Sequence, residues 1–286
     1  MKPTQRRQLS LLRLKGIPSP AAVILDLRNL AHVREVALVA GAYFTYMYTR
    51  KLVFPDVEFQ ALDNAVRLVS FLRDVGMLWE VTIQAWLLGH ATFLVYILNW
   101  AYVVTFWPIV LLTAIAFYIW DRPVYRDYRT IVLLSFGIAL LVFMLFPLAP
   151  PRFLTWEGFV DTVKTFGPGF YSNREAQNYF NAYAAMPSVH FGFTVLFGYL
   201  FFRTGHRWLQ VAGVLYPVIT LLSIVGTGNH YFVDAAGGLG VALAAAVLYR
   251  YLLHRRPLAQ PAIVENVQRF LRARANKPFQ NSLLRR

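Results

Sequence analysis

Two stretches of the chain combine residue types that could perform acid–base and nucleophilic chemistry: Ala184-Ala185-Met186-Pro187-Ser188-Val189-His190 and Gly228-Asn229-His230-Tyr231-Phe232-Val233-Asp234. His230 and Asp234 stand at i and i+4, so on a helix they share one face, and the carboxylate can accept a hydrogen bond from one ring nitrogen. That bond would fix the tautomer and leave the other nitrogen free as nucleophile or base. A bare H-x-x-x-D can equally close an ordinary helix end. Here Asp234 would lie about 6 Å inside an apolar helix, a costly place for an acid without a role.

In the first stretch, Pro187 suits the opening turn of a helix, where its missing N–H costs nothing. The free backbone N–H groups of that turn, with the Ser188 hydroxyl, form a seat for an anion. His190 then hangs beside the anion and could protonate a leaving oxygen. The plainer reading is a helix start with an interfacial histidine. Arg152 adds a guanidinium able to hold two phosphate oxygens in a fork, or else an interfacial anchor for the preceding apolar run. Lys164 and Arg174 are weaker candidates of the same kind, and Asn229 could add a side-chain hydrogen bond. A metal site built from His190, His230 and Asp234 lacks a further well-placed His, and the chain has no Cys.

The elements that must position these groups are membrane helices. The 286 residues are 57% hydrophobic and 15% charged, whereas a soluble domain is about a quarter charged. The net charge of +14 is concentrated in the two tails and in the linkers 121–130 and 203–207, a topology signal rather than a nucleic-acid face. A cleaved signal peptide is not expected, because Ala40-Gly41-Ala42 lies inside the first apolar run.

Residues 1–34 form a basic segment in which Val23, Ile24, Leu27, Leu30 and Ala31 recur at helical spacing, which suits a helix lying on an anionic leaflet. A first span is expected from Val36 to Tyr48, followed by a mixed-charge surface helix over 56–80. No Asp, Glu, Lys or Arg occurs from Val81 to Trp120. One helix of that length would be about 60 Å long, and two spans with a turn would barely fit. The pattern therefore predicts an interfacial piece to Ala91 and one span from Phe93 to Trp120, kinked at Pro108. Further spans are expected at Ile131–Phe146, Pro187–Arg203, Leu209–Val225 and His230–Leu253. Ala236, Gly240 and Ala244, four apart, offer the last span a close-packing face. The basic tail 254–286 carries a second amphipathic stripe at Ile263, Val264, Val267, Phe270 and Leu271. The expected architecture is an all-α integral membrane protein. A six-span transmembrane bundle over 35–253, with its core at 93–253, is flanked by amphipathic surface helices at both tails.

Parity of spans puts Arg152, Ser188 and His230 on one aqueous side. Arg122-Pro123, itself a phosphate-binding type of dipeptide, falls on the other. By the positive-inside rule both termini are cytoplasmic and the site is extracytoplasmic, in the cell or plasma membrane. A channel or transporter would place polar groups at mid-bilayer, and here they gather at helix ends on one side.

The pair P-S-x-H and H-x-x-x-D, at helix starts and about forty residues apart, resembles the type 2 phosphatidic acid phosphatase superfamily, which also includes vanadium haloperoxidases. The resemblance covers about residues 95–253, most strongly Ala184 to His190 and Thr227 to Gly237. It implies a six-span helical core and His230 as a nucleophile forming a phosphohistidine. It also implies Asp234 as its orienting partner, His190 as general acid, Ser188 and backbone N–H groups as phosphate ligands, and no metal or other cofactor. The superfamily's first motif, a lysine six residues before Arg-Pro, is absent. The arginine expected six residues before the third-motif histidine is replaced by Ile224. Ala149-Pro150-Pro151-Arg152 with Thr227-Gly228-Asn229-His230 is more similar to the branch containing inositol phosphorylceramide synthase, which makes Arg152 the leading cationic ligand. Three functions follow as expectations: a lipid phosphatase, a phosphotransferase moving the group to an alcohol, and a non-catalytic scaffold or transporter that only binds lipid phosphate.

Overall fold

The computed structural model describes residues 30–53, 57–167 and 183–275, and its regular elements are all helical. The basic stretch 1–29, Arg174 and the last residues of the tail lie outside the described residues. In order, the helices are α1 (Leu30–Val53), α2 (Glu58–Asp74), α3 (Trp79–His90), α4 (Thr92–Trp100), α5 (Phe106–Trp120), α6 (Arg122–Leu145), α7 (Thr162–Phe166), α8 (Val189–Arg203), α9 (Arg207–Gly226), α10 (Phe232–Val247) and α11 (Ile263–Ala275). Widened helical turns at Ala101–Thr105 and Leu248–His254 join α4 to α5 and extend α10.

Three of these are long and apolar enough to cross a membrane: α6, with mean hydropathy 2.1, α9 with 1.9, and α10 continued to Leu252 with 1.8. α3 and α4 qualify only as a pair bent by 115°, while α5 and α8 are shorter apolar helices. The chain is thus built as an integral membrane protein, with three or four candidate spans among the described residues rather than the six expected. The outer face of α9, with Val214, Val218 and Leu222 about half exposed, presents the apolar surface that lipid would cover.

The uncharged run 81–120 is divided at Ala91, whose φ of −144° ends α3 and starts α4 in a new direction. The kink expected at Pro108 falls one turn earlier, in the widened turn Ala101–Thr105. The proline ring has no N–H for the carbonyl of Val104 and crowds it, so the distortion falls on the turn before it.

Two further expectations are corrected. Around the expected division at residues 34–36 the described chain is one unbroken helix, α1, so the break in secondary structure expected there is not seen. Its first turns are tied to α5 and α6 by His32 to Tyr118 and by an ion pair of Glu35 with Arg129. Ala236, Gly240 and Ala244 are all exposed, so among the described residues no helix packs on that stripe. The buried face of α10 is instead Asp234, Ala235, Gly238, Ala242 and Ala245, which packs against α6 and α8.

The main core lies between α5, α6, α8 and α10 and includes Phe106, Ile131, Phe193, Phe197 and Tyr249. α6 is about 36 Å long by its rise per residue, so its two ends lie at opposite faces of the bundle. At its start, Asp121 and Asp127 accept N–H groups of Ala262 (2.6 Å) and Ala259 (2.7 Å), and Asn266 donates to the Trp120 carbonyl (2.7 Å). These bonds dock the amphipathic tail helix α11 on the bundle, with Ile263 buried. α2, expected as a surface helix, buries Ala61, Ala65, Val69 and Leu72 against the loop that follows α6, at the opposite face.

Candidate active site

The starts of α8 and α10 meet because their backbones approach without side chains between them. A Cβ on Gly238 would stand 2.1 Å from the Ser188 carbonyl oxygen, and one on Gly192 would stand 2.6 Å from that of Gly238. The Ser188 N–H donates to the Asp234 carbonyl at 2.9 Å, so the two helix starts are joined directly. The loop after α6 joins them: Leu148 donates to Tyr183 (3.0 Å) and accepts from Ala185 (3.1 Å). Burial and the nearby Glu58 carboxylate push the Tyr183 phenol up to about 12, so it adds no charge to this loop at neutral pH.

His230 is buried, and its Nδ1 lies 2.8 Å from the Ala185 carbonyl and 3.3 Å from Asp234 Oδ2. A carbonyl only accepts, so the proton belongs on Nδ1 and the lone pair on Nε2. The sequence pointed to the carboxylate as the ring's partner. The structure gives the shorter contact to a backbone carbonyl, with the carboxylate behind it. Asp234 Oδ2 also accepts the Tyr231 N–H at 2.9 Å, so one oxygen serves both the helix start and the ring.

The His190 ring centroid is 6.1 Å from that of His230. The ring lies against Tyr102 at 4.8 Å and Phe106 at 4.2 Å, one from the widened turn and one from α5. Ser188 is fully buried and caps α8, its hydroxyl oxygen accepting the Phe191 N–H at 3.4 Å. The N–H groups of Val189 and His190 make no hydrogen bond among the described residues, which leaves two donors at this helix start for an anion.

Arg152 comes to the same place by its backbone and its side chain. Its N–H donates to the Gly228 carbonyl and its Nη1 to Asn229 Oδ1, both at 2.8 Å. Asn229 in turn donates to Thr227 Oγ1 at 2.6 Å. Gly228 has φ +70°, a conformation that favours glycine, and this turn brings Asn229 and His230 back so that both N–H groups reach the Ile224 carbonyl at 2.9 Å. Ile224, where the superfamily pattern has arginine, is fully buried. Arg152 Nε is buried without a partner. The structure therefore gathers His190, Ser188, His230, Asp234 and Arg152, whereas Lys164 is exposed on α7 and no bond ties it to them.

Sequence reasoning missed the polar residues that hold these loops. Gln84 donates to the Val160 carbonyl (3.1 Å) and accepts its N–H (2.8 Å). Thr162 Oγ1 donates to the Thr227 carbonyl at 2.8 Å, close to Asn99. Glu80, assigned from sequence to the surface helix, is buried and accepts the Phe232 N–H. A signal existed: Glu80, Gln84, Leu87, Ala91, Val95 and Asn99 recur at helical spacing, and all are buried.

Membership of a phosphatase superfamily is what makes this membrane protein a phosphoesterase-type enzyme. The chain belongs to the PAP2 superfamily, whose family model matches residues 66–248. No curated protein and no solved structure matches it significantly.

Proposed function

We propose that the protein cleaves a lipid phosphate through a phosphohistidine. His230 Nε2 attacks phosphorus, and His190 protonates the departing oxygen. Arg152, Ser188 and the free N–H groups of Val189 and His190 hold the phosphoryl oxygens, and Asp234 steadies the imidazolium that forms on His230. Water or an alcohol then takes the phosphoryl-bearing group from the histidine. The observation that carries this reading is the bond from His230 Nδ1 to the Ala185 carbonyl, which leaves Nε2 as the basic nitrogen with the second imidazole ring 6.1 Å away.

The proposal extends to topology. A six-span arrangement, with α1, α4–α5, α6, α8, α9 and α10 crossing and α3 at the interface, puts both tails in the cytoplasm and the site at the outer water boundary of the cell membrane. The excess of Lys and Arg in the tails and in linkers 121–130 and 203–207 supports it.

Transfer to an alcohol, as in the inositol phosphorylceramide synthase branch, is the second reading. It is favoured by Ile224 standing where a further arginine would complete a highly cationic cradle. One guanidinium in place of two matches a phosphodiester, which carries one negative charge, better than a doubly charged monoester.

The test uses purified protein with chelator and labelled phosphatidic acid, polyprenyl diphosphate or phosphatidylinositol, with and without an acceptor alcohol. Turnover is expected for the wild type, and H230A should lower kcat by at least about a thousandfold. Full turnover by H230A removes the mechanism. Product that forms only with acceptor identifies a transferase, and release into water identifies a phosphatase. Lipid bound but never consumed would mean a scaffold or transporter.

A further inference from the structure

We infer that Glu80 is a positioning residue for the His230–Asp234 pair, an inference that rests on His230 being the group that attacks phosphorus. The start of α3 lies against the start of α10. Trp79 meets Phe232 edge to face at 6.1 Å, and Glu80 Oε1 accepts the Phe232 N–H at 2.8 Å. Two consecutive residues of α3 thus grip one residue of α10.

The opening N–H groups of α10 are divided between two carboxylates, that of Tyr231 going to Asp234 and that of Phe232 to Glu80. Asp234 cannot hold the turn alone and keep its place beside the ring, because the oxygen that accepts from Tyr231 is the one 3.3 Å from His230 Nδ1. Any shift of that turn moves the ring contact with it. Glu80 fixes the turn from a different helix.

Burial gives a second observation. Glu80 is 1% exposed, and its other oxygen, Oε2, has no hydrogen-bond partner. A buried carboxyl with one idle oxygen is a costly way to cap a helix, since an exposed helix start takes its hydrogen bonds from water or from a short polar side chain. Its place at the start of α10 makes sense when the acceptor must reach that turn from another helix. The long side chain spans that gap from the start of α3.

The experiment measures headgroup or phosphate release from phosphatidic acid and phosphatidylinositol in mixed micelles by wild type, E80A, E80D, E80Q and H230A. Removing or shortening the acceptor should lower kcat by about 30- to 100-fold, the scale of an ångström-sized misplacement, with KM within about twofold. E80Q keeps a carbonyl oxygen for the Phe232 N–H and should recover kcat to within about threefold of wild type. E80A and E80D at wild-type kcat would overturn the inference, as would E80Q impaired as deeply as E80A. Should E80A fail to fold, the contrast between E80D and E80Q carries the same two outcomes. Retained turnover in H230A would overturn the phosphohistidine reading itself, and so is distinct from a failure at Glu80 alone.

Discussion

His190 differs from His230 in what surrounds the ring. His230 has a carbonyl and a carboxylate against Nδ1, whereas His190 rests on the rings of Tyr102 and Phe106. An imidazolium at position 190 therefore takes its countercharge from the phosphate. As general acid it must be charged, and His230 must be neutral, so both profiles should be bell-shaped. Rate profiles of kcat and kcat/KM from pH 4 to 10 check this, and a profile without a basic limb would remove His190 from the acid role. Spacing alone nominates both histidines and Asp234 as candidates. It cannot nominate the Ala185 carbonyl, because every residue carries one and only the fold selects which of them meets the ring.

At the scale of elements, the contact that sets the histidines together is made by backbone. Gly238→Ala should destabilise the protein by about 1–3 kcal/mol, since its Cβ would meet the Ser188 carbonyl oxygen at 2.1 Å and a backbone atom yields little. Gly240→Ala, two residues on, meets nothing within 4 Å and should be neutral or slightly stabilising through helix propensity. Thermal unfolding in detergent compares the two, and equal midpoints would mean that the α8–α10 contact is not tight. The sequence pointed to the wrong small residues on α10. Ala236, Gly240 and Ala244 and the buried set around Gly238 both repeat at helical spacing, and in an apolar helix no polar face marks which side is outward. The division at Ala91 was legible from length alone, since forty uncharged residues exceed one bilayer crossing.

For the whole molecule, charge placement and packing give one axis. The Asp121 and Asp127 end of α6 receives the tail helix α11, and its other end delivers Arg152 to the site. The chain has no cysteine, so single cysteines report topology directly. Thr165→Cys, exposed in α7 on the site's side, should react with an impermeant maleimide on intact cells. Arg256→Cys, exposed between α10 and α11, should react only after the cells are opened. The reverse pattern would invert the proposed orientation.

The sequence by itself determined the helical membrane class and nominated the chemical groups of the candidate site. Both follow from local facts, the apolar runs and the spacing of a few ionisable residues. Only the tertiary structure decided that α2 and α11 pack on the bundle, that the Ala185 carbonyl meets His230 Nδ1, and that Glu80 is buried against the start of α10 rather than lying on a surface helix. Each of those depends on which distant backbone groups are left in need of a partner, and that is settled only when the helices have met.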